Sequence, residues 1–204
     1  YALRGASTSY FNAYDISANT WKFLASTPAT IATAGAIAYP GTGDYLYVAR
    51  CSNTTDFYRY SISANTWSSM ASVPGLVNTG ATMIATNTYI YLLQGSGVTD
   101  FWRYTIATNS WDVRASITNA PGNGADMAYP GTGDYIYVLR GFGTNELWRY
   151  SISGDSWLAR ANLPGTVNTG GSIACTGTGD YIYAAAGSST LGYYRYSISL
   201  NTWD

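Results

Sequence analysis

The sequence predicts an all-β fold built from repeated four-stranded antiparallel units, and three recurring features predict it. Tryptophans recur every 44 or 46 residues, and a tyrosine lies seven residues before each one. A strand-like segment with alternating aromatic residues precedes each pair, and a segment of small residues precedes four of these strands. No useful length of chain has the 3.6-residue period of an amphipathic helix. The recurring tryptophans are Trp21, Trp67, Trp111, Trp157 and Trp203.

The first strand of each unit, strand a, consists of small residues, which suit a crowded centre where several units converge. It reads GAIAYP from Gly35, GATMIAT from Gly80, GADMAYP from Gly124 and GSIACTG from Gly171. The turn that follows, such as PGTGD at 130–134, is rich in residues that tolerate a positive φ, as a tight hairpin requires.

The remaining three strands of each unit are b, c and d. Strand b alternates β-branched and aromatic residues, which is typical of a half-buried strand, and it begins at Tyr1, Tyr45, Tyr89, Tyr135 and Tyr181. Strand c resembles FWRYTI, a turn containing asparagine follows, and the recurring tryptophan opens strand d. Strand-only units of this length indicate the blades of a β-propeller.

Two side chains of the repeat have a structural interpretation. The recurring tryptophans are predicted to lie in the core or between blades. An arginine precedes the strand-c tyrosine in four units, and this uniformity favours stacking on a nearby aromatic ring or pairing with an aspartate. These arginines are Arg59, Arg103, Arg149 and Arg195.

The order of a small-residue strand, an IYV-type strand ending in glycine, and then Tyr, Asn and Trp resembles the kelch repeat. Tyr14, Asp15, Asn19 and Trp21 form the copy most similar to it, and the resemblance covers essentially the whole chain. One departure indicates a divergent branch. Kelch blades usually carry a glycine pair at the end of strand b, and here the pairs are Arg4-Gly5, Arg50-Cys51, Gln94-Gly95, Arg140-Gly141 and Ala186-Gly187.

The repeats predict one propeller domain, 1–204, with four full blades and a first blade that lacks strand a. Kelch-like rings usually have six or seven blades, so we expect a longer chain or another subunit to complete the structure. A five-bladed ring with one incomplete blade is the alternative. The predicted blades are 1–26, 33–72, 80–116, 123–162 and 170–204.

Composition argues against several classes of function. The net charge is −1 and Lys22 is the only lysine, which argues against nucleic acid and anionic membranes as partners. No stretch approaches the roughly 20 apolar residues of a membrane helix, so no membrane insertion is expected. The chain has no histidine and no cluster with metal-ligand spacing, so we predict no catalysis, no metal and no cofactor. A disulfide between Cys51 and Cys175 is not expected.

A glycosidase with paired carboxylates is the remaining enzymatic alternative. Asp56, Asp100 and Glu146 occupy equivalent loop positions and could converge on one face. The repeat explains these positions without catalysis, so this alternative ranks below binding.

The loops between strands b and c, and between strands d and a, lie on one face of a propeller, named here the b–c/d–a face. The a–b and c–d loops are near copies of one another, whereas the b–c loops differ. Loops that differ on a common scaffold are free to carry specificity, so we predict the ligand site on this face.

Four residues at the end of strand b adjoin this face, and they could form a polar ring that binds a carboxylate or sulfate. The alternative is that the arginines pair with the b–c loop acids and brace the loops. The amides of the d–a loops could contact sugar hydroxyls, and Phe142 is a candidate stacking platform. The predicted site residues are Arg4, Arg50, Gln94, Arg140, Asn78, Asn123, Asn168 and Phe142.

The leading hypothesis is a non-catalytic module that binds a protein or glycan through the b–c/d–a face. Scarce lysine and abundant Thr, Ser, Asn and Tyr favour an extracellular or surface-exposed location. The alternative is a structural subunit of an extracellular assembly, such as a fibre, surface layer or virion appendage. There, further copies of the chain or the rest of a longer chain would complete the unfilled blade.

Overall fold

The computed structural model describes residues 1–31, 35–177, 179–188 and 190–204, and all regular structure in these ranges is β-strand. The strands form one three-stranded sheet and four four-stranded sheets, each an antiparallel meander. The predicted all-β fold of five propeller blades is therefore confirmed, and the three-stranded sheet is the blade without strand a. The first two residues of the second predicted blade, 33 and 34, lie outside the described residues.

The strands of each blade follow one another along the chain. Blade 1 contains β1 (Ala2–Leu3), β2 (Phe11–Asp15) and β3 (Thr20–Phe23). Blade 2 contains β4 (Ala36–Ala38), β5 (Tyr45–Ala49), β6 (Phe57–Ser61) and β7 (Thr66–Ser69). Blade 3 contains β8 (Thr82–Ala85), β9 (Tyr89–Gly95), β10 (Val98–Thr105) and β11 (Ser110–Arg114). Blade 4 contains β12 (Asp126–Ala128), β13 (Tyr135–Leu139), β14 (Leu147–Ser151) and β15 (Ser156–Ala159). Blade 5 contains β16 (Ser172–Cys175), β17 (Tyr181–Ala185), β18 (Tyr193–Ser197) and β19 (Thr202–Trp203).

Strand b is more deeply buried than its alternating sequence predicts. In β5 the four residues after Tyr45, from Leu46 to Ala49, are all buried, although a half-buried strand would expose every second one. The reason is that the sheets stack face to face, so a strand in a central blade packs against neighbours on both sides. The tyrosines at alternate positions therefore contribute to the interfaces between blades.

The recurring Tyr, Asn and Trp residues hold neighbouring blades together. The indole Nε1 of Trp111 donates a hydrogen bond to the carbonyl of Ala71 in the preceding blade, at 2.9 Å. The backbone N–H of Ala71 donates to Oδ1 of Asn109, at 2.8 Å. The backbone carbonyl and N–H of Ala71, which lies between blades 2 and 3, are thus both hydrogen-bonded by blade 3. The same indole bond occurs at Trp67, Trp157 and Trp203.

The arginines of strand c stack on tyrosines of strand b, as predicted. Each guanidinium lies over a ring of its own blade, at 3.9 to 4.5 Å from the ring centre. This contact covers the outer part of the aromatic surface while the charge stays near solvent. The pairs are Arg59–Tyr45, Arg103–Tyr89, Arg149–Tyr135 and Arg195–Tyr181.

An aspartate at the end of the a–b turn fastens the c–d turn in three blades. The carboxylate of Asp134 accepts hydrogen bonds from the Ser151 hydroxyl at 2.6 Å and from the Ser153 backbone N–H at 2.7 Å. These donors stabilise the ionised form, so the pKa of Asp134 is lowered, chiefly by Ser151. Asp44 and Asp180 make the equivalent bonds, and their pKa values are lowered likewise.

We expect the stability of the protein to be level between about pH 5 and 8, because the chain has no histidine, and to fall in acid. A carboxyl whose pKa is lower in the folded state contributes stability above its unfolded pKa of about 4. That contribution is lost as the pH falls through the folded pKa. Urea midpoints measured from pH 8 to 2 test this, and a drop between pH 8 and 5 would contradict it.

Candidate binding face around the channel mouth

The inner strands of blades 2 to 5 line a central channel, which opens on the b–c/d–a face. Strands β4, β8, β12 and β16 lie side by side in that order. Their first residues line a cleft of about 310 Å³ at the channel mouth. The lining includes Gly35, Ala81, Thr82, Ala125, Asp126 and Gly171, so one carboxylate lies among small side chains.

Asp126 links three blades at this mouth. Its Oδ1 accepts a hydrogen bond from the Thr82 hydroxyl at 3.1 Å. Its Oδ2 accepts bonds from the Ser172 hydroxyl and the Ile173 backbone N–H, each at 3.0 Å. Asp126 is not among the site residues predicted from the sequence. It is the only charged residue in the four inner strands that the structure describes. Comparing the sequences of the four inner strands with one another would therefore have pointed to it.

The predicted residues at the end of strand b act mainly as braces. Arg50 donates from Nε to the Thr30 carbonyl at 2.9 Å and forms an ion pair with Asp56 at 2.8 Å. The Arg50 side chain therefore connects the b–c loop of its own blade to the d–a loop that precedes the blade. Arg140 likewise donates from Nε to the Ala120 carbonyl at 3.0 Å and forms an ion pair with Glu146 at 2.8 Å. The Gln94 amide donates to the Leu76 carbonyl at 2.8 Å.

Arg4 differs from the other strand-b residues. Its guanidinium lies over the Tyr10 ring, 5.5 Å from the centre, and the side chain is exposed. No carboxylate in the described part of the chain forms an ion pair with it. Of the four, Arg4 is thus the one with a charge open to an anionic group. Contact of these four residues with a ligand stays a prediction.

Glu146 is held in its ionised form. Burial raises its pKa, but hydrogen bonds from Asn119 and Trp148, both at 2.9 Å, together with Arg140, lower the pKa overall. A general acid in a glycosidase needs the opposite shift, because it must carry a proton near neutral pH. Asp56 is paired with Arg50, and Asp100 is exposed. These surroundings favour a bracing role for Glu146 and Asp56, whereas Asp100 lies within β10 and not in a loop.

Phe142 is an exposed aromatic residue held on a strained backbone. Its side chain is 69% exposed and its φ is +60°. Left-handed backbone is costly for a bulky residue. The equivalent residues that share this conformation in other b–c loops are small, namely Ala6, Ser96 and Ser188. The Phe142 ring lies against the d–a loop, because a Cβ on Gly122 would be 2.6 Å from its Cδ2.

Two of the predicted asparagines lie beside Phe142. The carbonyl of Asn123 accepts a hydrogen bond from the Phe142 backbone N–H at 2.9 Å. Oδ1 of Asn168 would be 3.4 Å from a Cβ on Gly143. Neither side-chain amide makes a hydrogen bond within the residues that the structure describes, whereas the Asn78 amide donates to Asn53 at 3.1 Å. The structure thus brings Phe142, Asn123 and Asn168 together between blades 4 and 5.

The described residues offer neither a metal site nor a membrane-spanning helix. No group of three or more Cys, Asp or Glu residues there could hold a metal ion. No helix in the described part of the chain is long and apolar enough to cross a membrane. Both cysteines are free thiols, and burial raises the pKa of Cys51 to about 12. No protein-family model matches the chain, and no curated protein sequence matches it.

Proposed function

We propose that this protein is a divergent kelch-like propeller that binds a protein or a glycan, without catalysis, through its b–c/d–a face. The observation that carries the proposal is Phe142, a large exposed ring on a backbone conformation that blades 1, 3 and 5 give to the small residues Ala6, Ser96 and Ser188. Such strain costs about 1–3 kcal/mol and concentrates at functional sites. Contact between the ring and a ligand explains why this residue stands there.

The surroundings of Phe142 suit a ligand that is partly apolar and partly polar. Exposed aromatic residues are frequent anchors of binding, since a rigid ring supplies much contact area. The amides of Asn123 and Asn168 each offer donors and an acceptor, which match sugar hydroxyls or a peptide backbone. Arg4 and the Asp126 carboxylate at the channel mouth add one charge of each sign to the same face.

The proposed location is outside the cell or on its surface. The chain is only 10% charged and has one lysine, so Ser, Thr, Asn and Tyr supply most of its polar groups. The near-neutral net charge gives no basic stripe for nucleic acid, so a protein or a glycan is the proposed partner.

Replacing Phe142 by Ser, the residue that has the same backbone conformation at positions 96 and 188, is expected to weaken ligand binding about tenfold or more. Glycan arrays and panels of immobilised extracellular proteins would identify the ligand, and titration calorimetry would measure the change. The fold should survive, because serine occupies the same backbone conformation at positions 96 and 188 and because the Phe142 ring is exposed. Phe23→Ser, at an exposed ring on an outer strand, is the matched control and should bind normally. Undiminished binding by Phe142→Ser would contradict the proposal.

A further inference from the structure

Each junction between blades joins the same two surfaces. We name as the forward face of a blade its second strand-b tyrosine together with the residue three positions before its strand-c tyrosine. The rear face is its strand-c tyrosine with the recurring tryptophan. In blade 2 the forward face is Tyr47 and Phe57, and both are buried. The Phe57 ring lies 4.8 Å from Tyr104 and 4.9 Å from Trp111, which form the rear face of blade 3.

This junction repeats with little change along the chain. Between blades 3 and 4, Phe101 lies 4.8 Å from Tyr150 and 5.0 Å from Trp157. Between blades 1 and 2, Phe11 lies 4.9 Å from Tyr60 and 5.0 Å from Trp67. Tyr137 and Tyr196 join blades 4 and 5 at 6.1 Å. No ring contact among the described residues joins blade 5 to blade 1.

Blade 5 therefore presents a forward face that no other blade covers in the part of the chain that the structure describes. Its rings, Tyr183 and Tyr193, stack at 6.0 Å with an interplanar angle of 16°. The covered pair Tyr47 and Phe57 stacks at 5.8 Å and 20°, so the uncovered face already has the geometry of a formed junction. Tyr193 is nevertheless 67% exposed, whereas Phe57 is buried.

Blade 1 presents the complementary rear face, which is also uncovered. Tyr14 and Trp21 lie 5.2 Å apart, close to the 5.1 Å of Tyr104 and Trp111. Trp21 is 60% exposed, and Ile16 beside it is exposed, although its equivalents in blades 2 to 5 are partly buried.

Backbone contacts show the same lack of a neighbour. Gly124 and Gly170 occupy equivalent positions, each with a φ of +83°. A Cβ on Gly124 would lie 1.8 Å from the Asn168 carbonyl oxygen, which belongs to the loop leading to the next blade. A Cβ on Gly170 would meet no atom within 4 Å. The side of blade 5 that faces away from blade 4 is thus open at both its rings and its loops.

We propose that the forward face of blade 5 docks on the rear face of blade 1 in a second copy of this chain. The occupant is a second copy because the four internal junctions show what covers each face, and this chain carries both faces uncovered. The rings of Tyr183 and Tyr193 would cover Tyr14 and Trp21 as Phe57 covers Tyr104 and Trp111. Exposed apolar surface of this kind marks an interaction site.

The contact is head to tail, so it generates closed rings or open filaments of the chain according to its rotation. It lies on the end blades, whereas the proposed ligand site lies around Phe142 between blades 4 and 5. The Phe142→Ser variant should therefore assemble like the unaltered chain even if it no longer binds the ligand. The binding experiment and the assembly experiment can thus contradict the two proposals independently.

The test uses two variants of the full chain, each with one face disabled by a charge. Tyr193→Asp disables the forward face of blade 5, and Trp21→Asp disables the rear face of blade 1. Light scattering behind a sizing column should give multiples of 21.9 kDa for the unaltered chain, rising with concentration. Each variant alone should give 21.9 kDa, because its single intact face has no complement.

An equimolar mixture of the two variants decides the proposal. One intact forward face and one intact rear face remain, so the mixture should form a dimer of twice 21.9 kDa that does not grow further. Circular dichroism melting checks that both variants fold, and Ile16→Asp replaces Trp21→Asp if that variant does not. An unaltered chain that stays at 21.9 kDa up to millimolar concentration overturns the proposal, and so does a mixture that stays monomeric.

Discussion

Replacing Trp111 by Ala is expected to lower the free energy of unfolding by about 3–5 kcal/mol. The indole lies between two blades, 4.9 Å from the Phe57 ring and 5.1 Å from the Tyr104 ring. Its removal leaves a cavity at that junction and deprives the Ala71 carbonyl of its hydrogen bond from Nε1. Chemical denaturation followed by circular dichroism would measure the change.

Trp21→Ala is the matched control, because Trp21 has the same place in the repeat but lacks a neighbouring blade. Its ring contacts Tyr14 in its own blade and is 60% exposed, so we expect a loss of about 1 kcal/mol or less. Dilute protein keeps the measurement free of association. An unchanged midpoint for Trp111→Ala would refute its place in the junction. Equal losses at the two positions would show that the tryptophan stabilises its own blade alone.

The repeat allowed most of the fold to be predicted from the sequence. Each of the five tyrosine–tryptophan pairs lies on strands c and d, as in the pairing of Tyr104 with Trp111. The stacking of Arg59 on Tyr45 followed from its repetition in other blades. The burial of four successive residues in β5, from Leu46 to Ala49, did not follow, because the alternation in YLYVA does not tell which side a neighbouring sheet covers.

The candidate site was predicted less completely. The sequence left two roles open for Arg50 and Arg140, because bracing or ligand contact depends on side-chain directions that spacing does not define. The structure directs both guanidinium groups into their own loops. The strain at Phe142 was also hidden, since φ depends on the loop. Asp126 was overlooked because its role depends on hydroxyls from two other blades.

Replacing Gly124 by Ala is expected to destabilise the protein by about 3 kcal/mol or more. The residue has a φ of +83°, and an added Cβ would lie 1.8 Å from the carbonyl oxygen of Asn168. Backbone on both sides of this contact would have to move, because neither atom belongs to a flexible side chain. The change would therefore loosen the junction between blades 4 and 5, where Phe142 and the two asparagines meet. Urea denaturation of the folded variant measures the loss.

Gly170→Ala separates the clash from the cost of the backbone conformation. Gly170 has the same φ, but an added Cβ meets no atom within 4 Å. Only the left-handed conformation of a residue with a Cβ is then penalised, which costs about 1–2 kcal/mol. The difference between the two variants measures how closely the d–a loop of blade 5 approaches blade 4. Equal losses would mean that the loop moves aside freely, and the contact would then contribute nothing to holding the b–c/d–a face in shape.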